Sequence, residues 1–243
     1  MDSDLAWGRM LRIMGGAALI SITGLAPLHS ADIEGNITVT HRLTKAKVTS
    51  TADSYERGVA VKLQADEAPD VIAFERSHVV IYLEGQHPSE PQTAVMEQKN
   101  RRFDPDLVVL PAGSTVSFPN LDPIFHNVFS LSKAKDFDLG NYPKGHTRTV
   151  TFSKPGMVYV NCHLHSNMAA VIVVTPNQWS TRADDAGRFR LAGVPPGDYT
   201  IVAWHKAAGF LRRQIKVTAD RNTVVNFTVP LGIKTSAEAI ARR

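Results

Sequence analysis

Met157-Val158-Tyr159-Val160-Asn161-Cys162-His163-Leu164-His165-Ser166-Asn167-Met168 begins as a strand and ends as a loop of unusual chemistry. In its first half Val158, Val160 and Cys162 fall on one face, because strand side chains repeat every two residues. That face is the core side, so the sulfur arrives in an apolar, water-poor setting. The chain then bends, and His165 and Met168 can turn back onto the same point. Cys162 is the only cysteine of the 243 residues, and Met168 is one of three methionines beyond residue 30. The spacing Cys-x-x-His-x-x-Met thus gathers a thiol, an imidazole and a thioether on one short loop.

Strand patterning continues on both sides of this stretch. Upstream, Ile37-Thr38-Val39-Thr40 alternates and Val79-Val80-Ile81-Tyr82-Leu83 is a β-branched run closed by Gly85. Leu107-Val108-Val109-Leu110 leads through the turn Pro111-Ala112-Gly113 into Thr115-Val116-Ser117-Phe118. Val150-Thr151-Phe152 and the turn Lys154-Pro155-Gly156 precede the quoted strand, and Val171-Ile172-Val173-Val174 follows it. Short strands between turn signals, with no amphipathic helix of ordinary length, predict an all-β sandwich or barrel. Residues 44–75 are read as a long hairpin. A break at Thr175-Pro176-Asn177 separates a second β unit, with turns at Asp184-Asp185-Ala186-Gly187 and at residues 193–198 and strands at residues 188–191, 199–204 and 224–229.

Composition sets outer bounds. With 43% hydrophobic residues, the chain can bury a core, so disorder is not the default. A net charge of +4, with no Lys/Arg block or interleaved aromatics, argues against nucleic acid as a partner. Residues 1–30 read as a cleaved signal peptide: Arg9 and Arg12 supply the positive start, residues 13–28 are mostly apolar, and small residues follow. The apolar run is shorter than the ~20 residues of a membrane span, so no stable span is expected after cleavage. The expected location is the periplasm or another exported compartment. There a single unpaired cysteine points to a reactive or metal-bound thiol. The expected division is 1–30 signal peptide, 31–176 first β domain, 177–232 second β module and 233–243 flexible tail.

Soft sulfur suits Cu(I), imidazole suits both copper states, and two His plus one Cys with a weak axial Met is the blue-copper donor set. The second histidine has a candidate in His126, behind the turn at Pro119-Asn120 and the loop through Asp122-Pro123. Zinc accepts Cys and His but does not favour a thioether. A hydrolytic Cys-His pair lacks an orienting acid and an oxyanion donor pattern, so no enzyme activity is expected. His163 should point away from Cys162 and be solvated or hydrogen-bonded. His41, His78, His87, His146 and His205 show no metal spacing and read as surface or hydrogen-bonded residues. Asp184-Asp185 reads as turn chemistry, and Trp179 and Trp204 as packing.

On Cys162, His165, Met168 and the stretches Phe118-Pro119-Asn120 and His126-Asn127-Val128, residues 100–175 resemble the cupredoxins, the small blue copper proteins, with a ligand loop of amicyanin spacing. The resemblance implies a Greek-key sandwich with one copper ion held by His126, Cys162, His165 and axial Met168. It implies that Asn127 tethers the ligand loop and that electrons pass through His165, with Leu164, Met168, Ala169 and Ala170 as docking patch. The implied activity is single-electron transfer, with a c-type cytochrome or periplasmic dehydrogenase as partner. His163-Leu164, without proline, departs from the family loop. Met96-Glu97-Gln98-Lys99-Asn100 and Trp204-His205 further resemble exported plastocyanin-like proteins of the methylamine utilisation type. These join a copper domain to a carboxypeptidase-regulatory-like, prealbumin-like β module. The alternative function is copper handling, or protein or glycan binding, without redox turnover.

Overall fold

The computed structural model describes residues 30–44 and 70–230. The expected signal peptide (save Ser30), most of the expected hairpin at residues 44–75 and the expected tail lie outside the described residues. Along the chain come β1 (Ala31–Val39), α1 (Val71–Ser77), β2 (Val80–Leu83), β3 (Thr93–Val95), β4 (Glu97–Lys99), β5 (Arg102–Asp104), β6 (Leu107–Pro111), β7 (Ser114–Pro119) and β8 (His126–Ser132). There follow β9 (Lys135–Tyr142), β10 (Thr147–Phe152), β11 (Gly156–Asn161), β12 (Ala169–Thr175), β13 (Ser180–Arg182), β14 (Arg188–Val194), β15 (Gly197–His205), β16 (Gly209–Val217), β17 (Thr223–Val224) and β18 (Phe227–Val229). The protein is all-β, apart from the seven-residue α1 among the described residues.

Four sheets face one another across three apolar layers. Sheet β10-β7-β3 packs on sheet β6-β12-β11-β8-β9 through Phe118, Phe152, Val158, Val160 and Ile172. Sheet β14-β1-β17, with β18 also on β1, packs on sheet β13-β2-β15-β16 through Ile33, Ile37, Ile81, Phe189 and Ile201. Between these two sandwiches lies a third layer of Val80, Tyr82, Leu107, Val171, Val173, Val202 and Trp204. Alternation explains it. On β12 Ala170, Ile172 and Val174 enter the first core, while Val171 and Val173 enter the middle layer. The continuous apolar run at residues 171–174 is therefore a strand buried on both faces. Burying each of these large side chains stabilises by about 1.5–3 kcal/mol, so the middle layer holds the sandwiches together.

The contiguous division at residue 176 does not follow the strand pairing. β1 and β2, expected in the first domain, belong to the second sandwich: Ile33 pairs with Leu191, Ile37 with Phe227, and Ile81 with Ala203. Alternation identifies a strand but not its sheet, and the apolar face of β1 is completed by Phe189, Leu191 and Phe227 rather than by the first core. The expected strand at residues 224–229 is split into β17 and β18. The split sits opposite Gly35, where an added Cβ would stand 1.7 Å from the carbonyl oxygen of Val225. At the crossing between sandwiches, buried Asn177 donates from Nδ2 to Leu83 O and Gly85 O, both at 2.9 Å, and accepts the Trp179 N–H at 3.0 Å. The break read at residues 175–177 is thus a pinned corner. Trp179 and Trp204 are packing residues, as expected, the latter in the middle layer.

Candidate metal centre

β8 opens with His126, which is fully buried. Cys162 ends the run of β11, sharing its inward face with Val158 and Val160 while Tyr159 points outward. Asn161 pairs with Phe129, which sets β11 beside β8 and brings the start of one strand to the end of the other. The loop beyond Cys162 carries His165 back to His126, and its turn is closed by the Met168 N–H on His165 O at 3.0 Å. The expectation that Cys162 arrives on the core face therefore holds.

The donor atoms of His126, Cys162 and His165 all lie within 4.8 Å of one another. Nδ1 of His126 stands 3.1 Å from Nδ1 of His165, and Sγ of Cys162 stands 3.8 Å from that same His165 nitrogen. The Asn127 backbone N–H donates to Sγ at 3.4 Å. Met168 is fully buried in the same apolar cluster as Cys162.

The far side of His126 is occupied. Its Nε2 lies 2.7 Å from Oδ2 of Asp122. Asp122 also accepts the backbone N–H groups of Asn100 at 2.7 Å and Arg101 at 2.8 Å. Burial pushes the Asp122 carboxyl up, but the donors from Arg101, His126 and Asn100 outweigh it and hold it below the usual carboxylate range. An ionised Asp122 can only accept, so the His126 proton sits on Nε2 and Nδ1 is left as an acceptor. At His165 burial comes first, then His126 and Arg101; together they hold the imidazole below the usual histidine range against the pull of Asp122. His165 is thus suited to present a lone pair near neutral pH.

Asn127 ties the loops together. Its Oδ1 accepts the His163 N–H at 3.4 Å and its Nδ2 donates to Asp138 at 2.6 Å. His163 does turn away from Cys162, as expected. It is half-exposed, stacks on Phe129 at 3.7 Å and lies 3.5 Å from Asp138. The expected apolar patch differs from the observed one. Leu164 is exposed, but Met168 and Ala170 are buried; the exposed apolar residues flanking the site are Leu121, Ile124 and Phe125, in the loop before β8. The strand that starts at Ala169 draws its neighbours inward.

Two residues escaped sequence reasoning. Asp122 reads as turn chemistry beside Pro123, and nothing in its spacing marks it as the partner of a residue four positions on. Glu75 is fully buried and 3.0 Å from His205, away from the site, so His205 is a buried partner rather than a surface residue. The other four isolated histidines are not buried. Among the described residues no helix is long and apolar enough to cross a membrane.

Residues 167–230 match the family model of the carboxypeptidase regulatory-like domain, a match that starts within the His165–Met168 loop and runs to the end of the described chain. No curated protein matches the chain. Among solved structures the chain is similar to a Cu-containing nitrite reductase from Thermus scotoductus (24% identity, TM-score 0.33, covering 37% of this chain and 24% of that enzyme). The chain thus spans about a quarter of that enzyme's length. It is also similar to a reduced amicyanin (21% identity, TM-score 0.32, 34% of this chain and 81% of that one). A third neighbour is a purple cupredoxin from Nitrosopumilus maritimus (20% identity, TM-score 0.30, 35% of this chain and all 100% of that one). This is therefore an all-β protein with a His-Cys-His group of which His126 and Cys162 are buried, cupredoxins among its structural neighbours, and a carboxypeptidase regulatory-like segment over residues 167–230.

Proposed function

We propose that this protein binds one copper ion between His126, Cys162 and His165, with Met168 as weak axial donor, and carries single electrons between exported redox partners. The observation that supports it is the convergence of one buried thiol and two imidazole acceptors on a single point. Metal–ligand bonds of about 2.0–2.3 Å set neighbouring donor atoms roughly 3.3–3.8 Å apart. Of the observed separations, 3.8 Å lies at the top of that span and 3.1 Å just below it, so a small movement of the two imidazoles apart would admit the ion. The donor set, two nitrogens and a thiol with a thioether close by in the fold, fits copper better than zinc.

Copper held there would supply one-electron chemistry between its two oxidation states. The chain's own residues do the rest. The strands β8 and β11 hold both faces of the site, so little has to move on electron exchange. The Asn127 N–H on Sγ draws charge from the thiolate and tunes it. His165, only partly buried, offers the route to the surface, and Leu164 with Leu121, Ile124 and Phe125 forms an apolar rim for a small, transient encounter. A c-type cytochrome or a periplasmic dehydrogenase is the partner class this reading implies. The donor set is that of an electron-transfer copper site, so we read a carrier rather than an enzyme.

The test is a visible spectrum of the purified protein after adding Cu(II) and a mild oxidant. Expected is an intense blue colour from thiolate-to-Cu(II) charge transfer that ascorbate bleaches. A colourless protein that holds Cu(I) tightly would instead favour copper handling without turnover. A colourless protein with a freely titratable Cys162 would reject copper altogether.

A further inference from the structure

The motif Met96-Glu97-Gln98-Lys99-Asn100 has no role in the donor set, yet it leads to the tip of the β4–β5 hairpin, where Asn100 and Arg101 both adopt positive φ (53° and 54°). In that conformation both backbone N–H groups point at one carboxylate, Asp122. L-residues with side chains rarely stay in this region unless their surroundings hold them there. The hairpin is held from below: the Leu121 N–H donates to Gln98 O at 2.9 Å, and fully buried Gln98 donates to the Tyr142 hydroxyl. Asp122 is further fixed by its own N–H on Asn120 Oδ1 at 3.0 Å. From the same tip, Arg101 O accepts Asn167 Nδ2 of the ligand loop at 3.5 Å. One hairpin tip therefore reaches both metal-binding loops.

We propose that Asp122, cradled by the Asn100–Arg101 tip, is a positioning residue of the metal centre: it fixes His126 as an Nδ1 donor and favours the more highly charged state of the bound ion. The inference rests on the copper reading and deepens it. Three facts carry it. His126 has no freedom at Nε2, because a fully buried ring faces an almost fully buried carboxylate at 2.7 Å. Its Nδ1 therefore faces His165 and Cys162 with its lone pair. A carboxylate behind a metal-bound imidazole raises the basicity of the ligand and fixes its tautomer, and losing such a partner typically weakens metal binding 10–100-fold. The negative charge stabilises Cu(II) more than Cu(I), since the divalent state carries the larger charge. The hairpin supplies what keeps that charge in a buried place: two N–H donors that no side-chain substitution at residues 100 and 101 removes, short of proline.

The test combines potentials and nitrogen NMR on the purified chain. In Asp122→Asn an amide replaces one acceptor oxygen by a donor, so the donors of Arg101, His126 and Asn100 can no longer all be accepted. Cu(II) affinity should fall about 10–100-fold, with Cu(I) affinity less affected. Each tenfold difference between the two losses raises the midpoint potential by ~59 mV for a one-electron couple. In the metal-free wild type, nitrogen spectra of labelled histidine should show the His126 proton on Nε2, and in Asp122→Asn that signature should be lost. Equal weakening of both copper states, which leaves the potential where it was, overturns the proposal. So does a wild-type His126 protonated on Nδ1, a result that needs no variant to fold. Failure of the copper reading shows separately, as a wild type that takes up no copper while its His126 tautomer is as expected.

Discussion

His126 and His205 are each fully buried with Nε2 turned to a carboxylate, one in each sandwich. Asp122 stands 2.7 Å from the first and Glu75 3.0 Å from the second, the latter off the line of a good hydrogen bond. Both carboxylates are also held by backbone donors from a distant segment: Asn100 and Arg101 for Asp122, Leu43 and Thr44 for Glu75. The difference lies at the other ring nitrogen. Nδ1 of His205 accepts the Ala207 N–H at 3.2 Å and is satisfied within its own turn. Nδ1 of His126 meets a second imidazole and a thiol. A buried His–carboxylate pair is therefore not in itself a site; what the unpaired nitrogen faces decides between a ligand and a structural pin. Glu75–His205 pins α1 and residues 43–44 to β15. Asp122–His126 leaves one lone pair for chemistry.

The largest test of that contrast is Cys162→Ser. It should abolish the blue colour of the copper-loaded protein while circular dichroism shows the fold intact, whereas His205→Gln should leave the colour unchanged. Retained colour in the serine variant would refute the thiolate assignment. Glu75→Ala should act the other way round. It strips the acceptor from Leu43 N, Thr44 N and the Thr44 hydroxyl and leaves His205 alone in the core. Each buried donor left without its acceptor costs about 1–3 kcal/mol, read as a lower denaturation midpoint, with the visible spectrum unmoved. If Glu75→Ala bleached the protein at full stability, the two pairs would not be separable as argued.

A smaller effect sharpens the contrast through pH. Burial holds His205 below the usual histidine range even though Glu75 pulls it up. The unfolded chain therefore binds a proton near the ordinary value of about 6.5, while the folded chain does not. Stability from this residue is complete above that value and declines as pH falls towards the lowered folded value, at up to about 1.4 kcal/mol per pH unit. His78, 3.0 Å from Asp106, shifts the opposite way: burial opposes, but Asp106 and Phe74 O raise it, so its contribution is present at low pH and lost as pH rises through its folded value. The readable quantity is hence a difference. His205→Gln keeps a donor for Glu75 and should show a shallower loss of stability between about pH 6.5 and pH 5 than the wild type. Equal slopes would mean that His205 takes up its proton without unfolding.

Short continuous apolar runs made most strands legible: residues 79–83, 107–110 and 171–174 all lie in strands or at their edge, as does the alternating stretch 150–152, and alternation put Cys162 on the inward face. Phe137 and Leu139, alternating with Asp136 and Asp138, carry the same signal for β9. What alternation does not encode is pairing. β1 looks the same whichever sandwich it joins, and its place shows only in its pairing with β14 and β18, which sets Phe189 and Phe227 beside it. The site split likewise. A thiol, an imidazole and a thioether at fixed spacing can be read from one loop, because the loop itself brings them together. His126 needed a guess about a neighbouring strand. Asp122 was out of reach, since its role depends on a hairpin tip 21 and 22 positions upstream whose N–H groups, not side chains, do the holding.

Met168 sits where both descriptions apply, and the smallest effect separates them. Its side chain is fully buried among Cys162, Val160 and Ala170, as a packing residue would be, and its own N–H closes the ligand loop on His165 O. Met168→Leu nearly conserves volume, a class of swap that usually costs less than about 1.5 kcal/mol, so fold and copper content should survive. A thioether that donates weakly to the oxidised ion stabilises Cu(II) more than Cu(I); leucine removes that preference and should move the midpoint potential upward. Asp122→Asn should move it the same way, through His126 rather than through the thioether. A potential unchanged in Met168→Leu would make Met168 a core residue and leave the centre with three ligands. The loop spacing would then reflect the packing needs of β12 rather than the coordination of an ion.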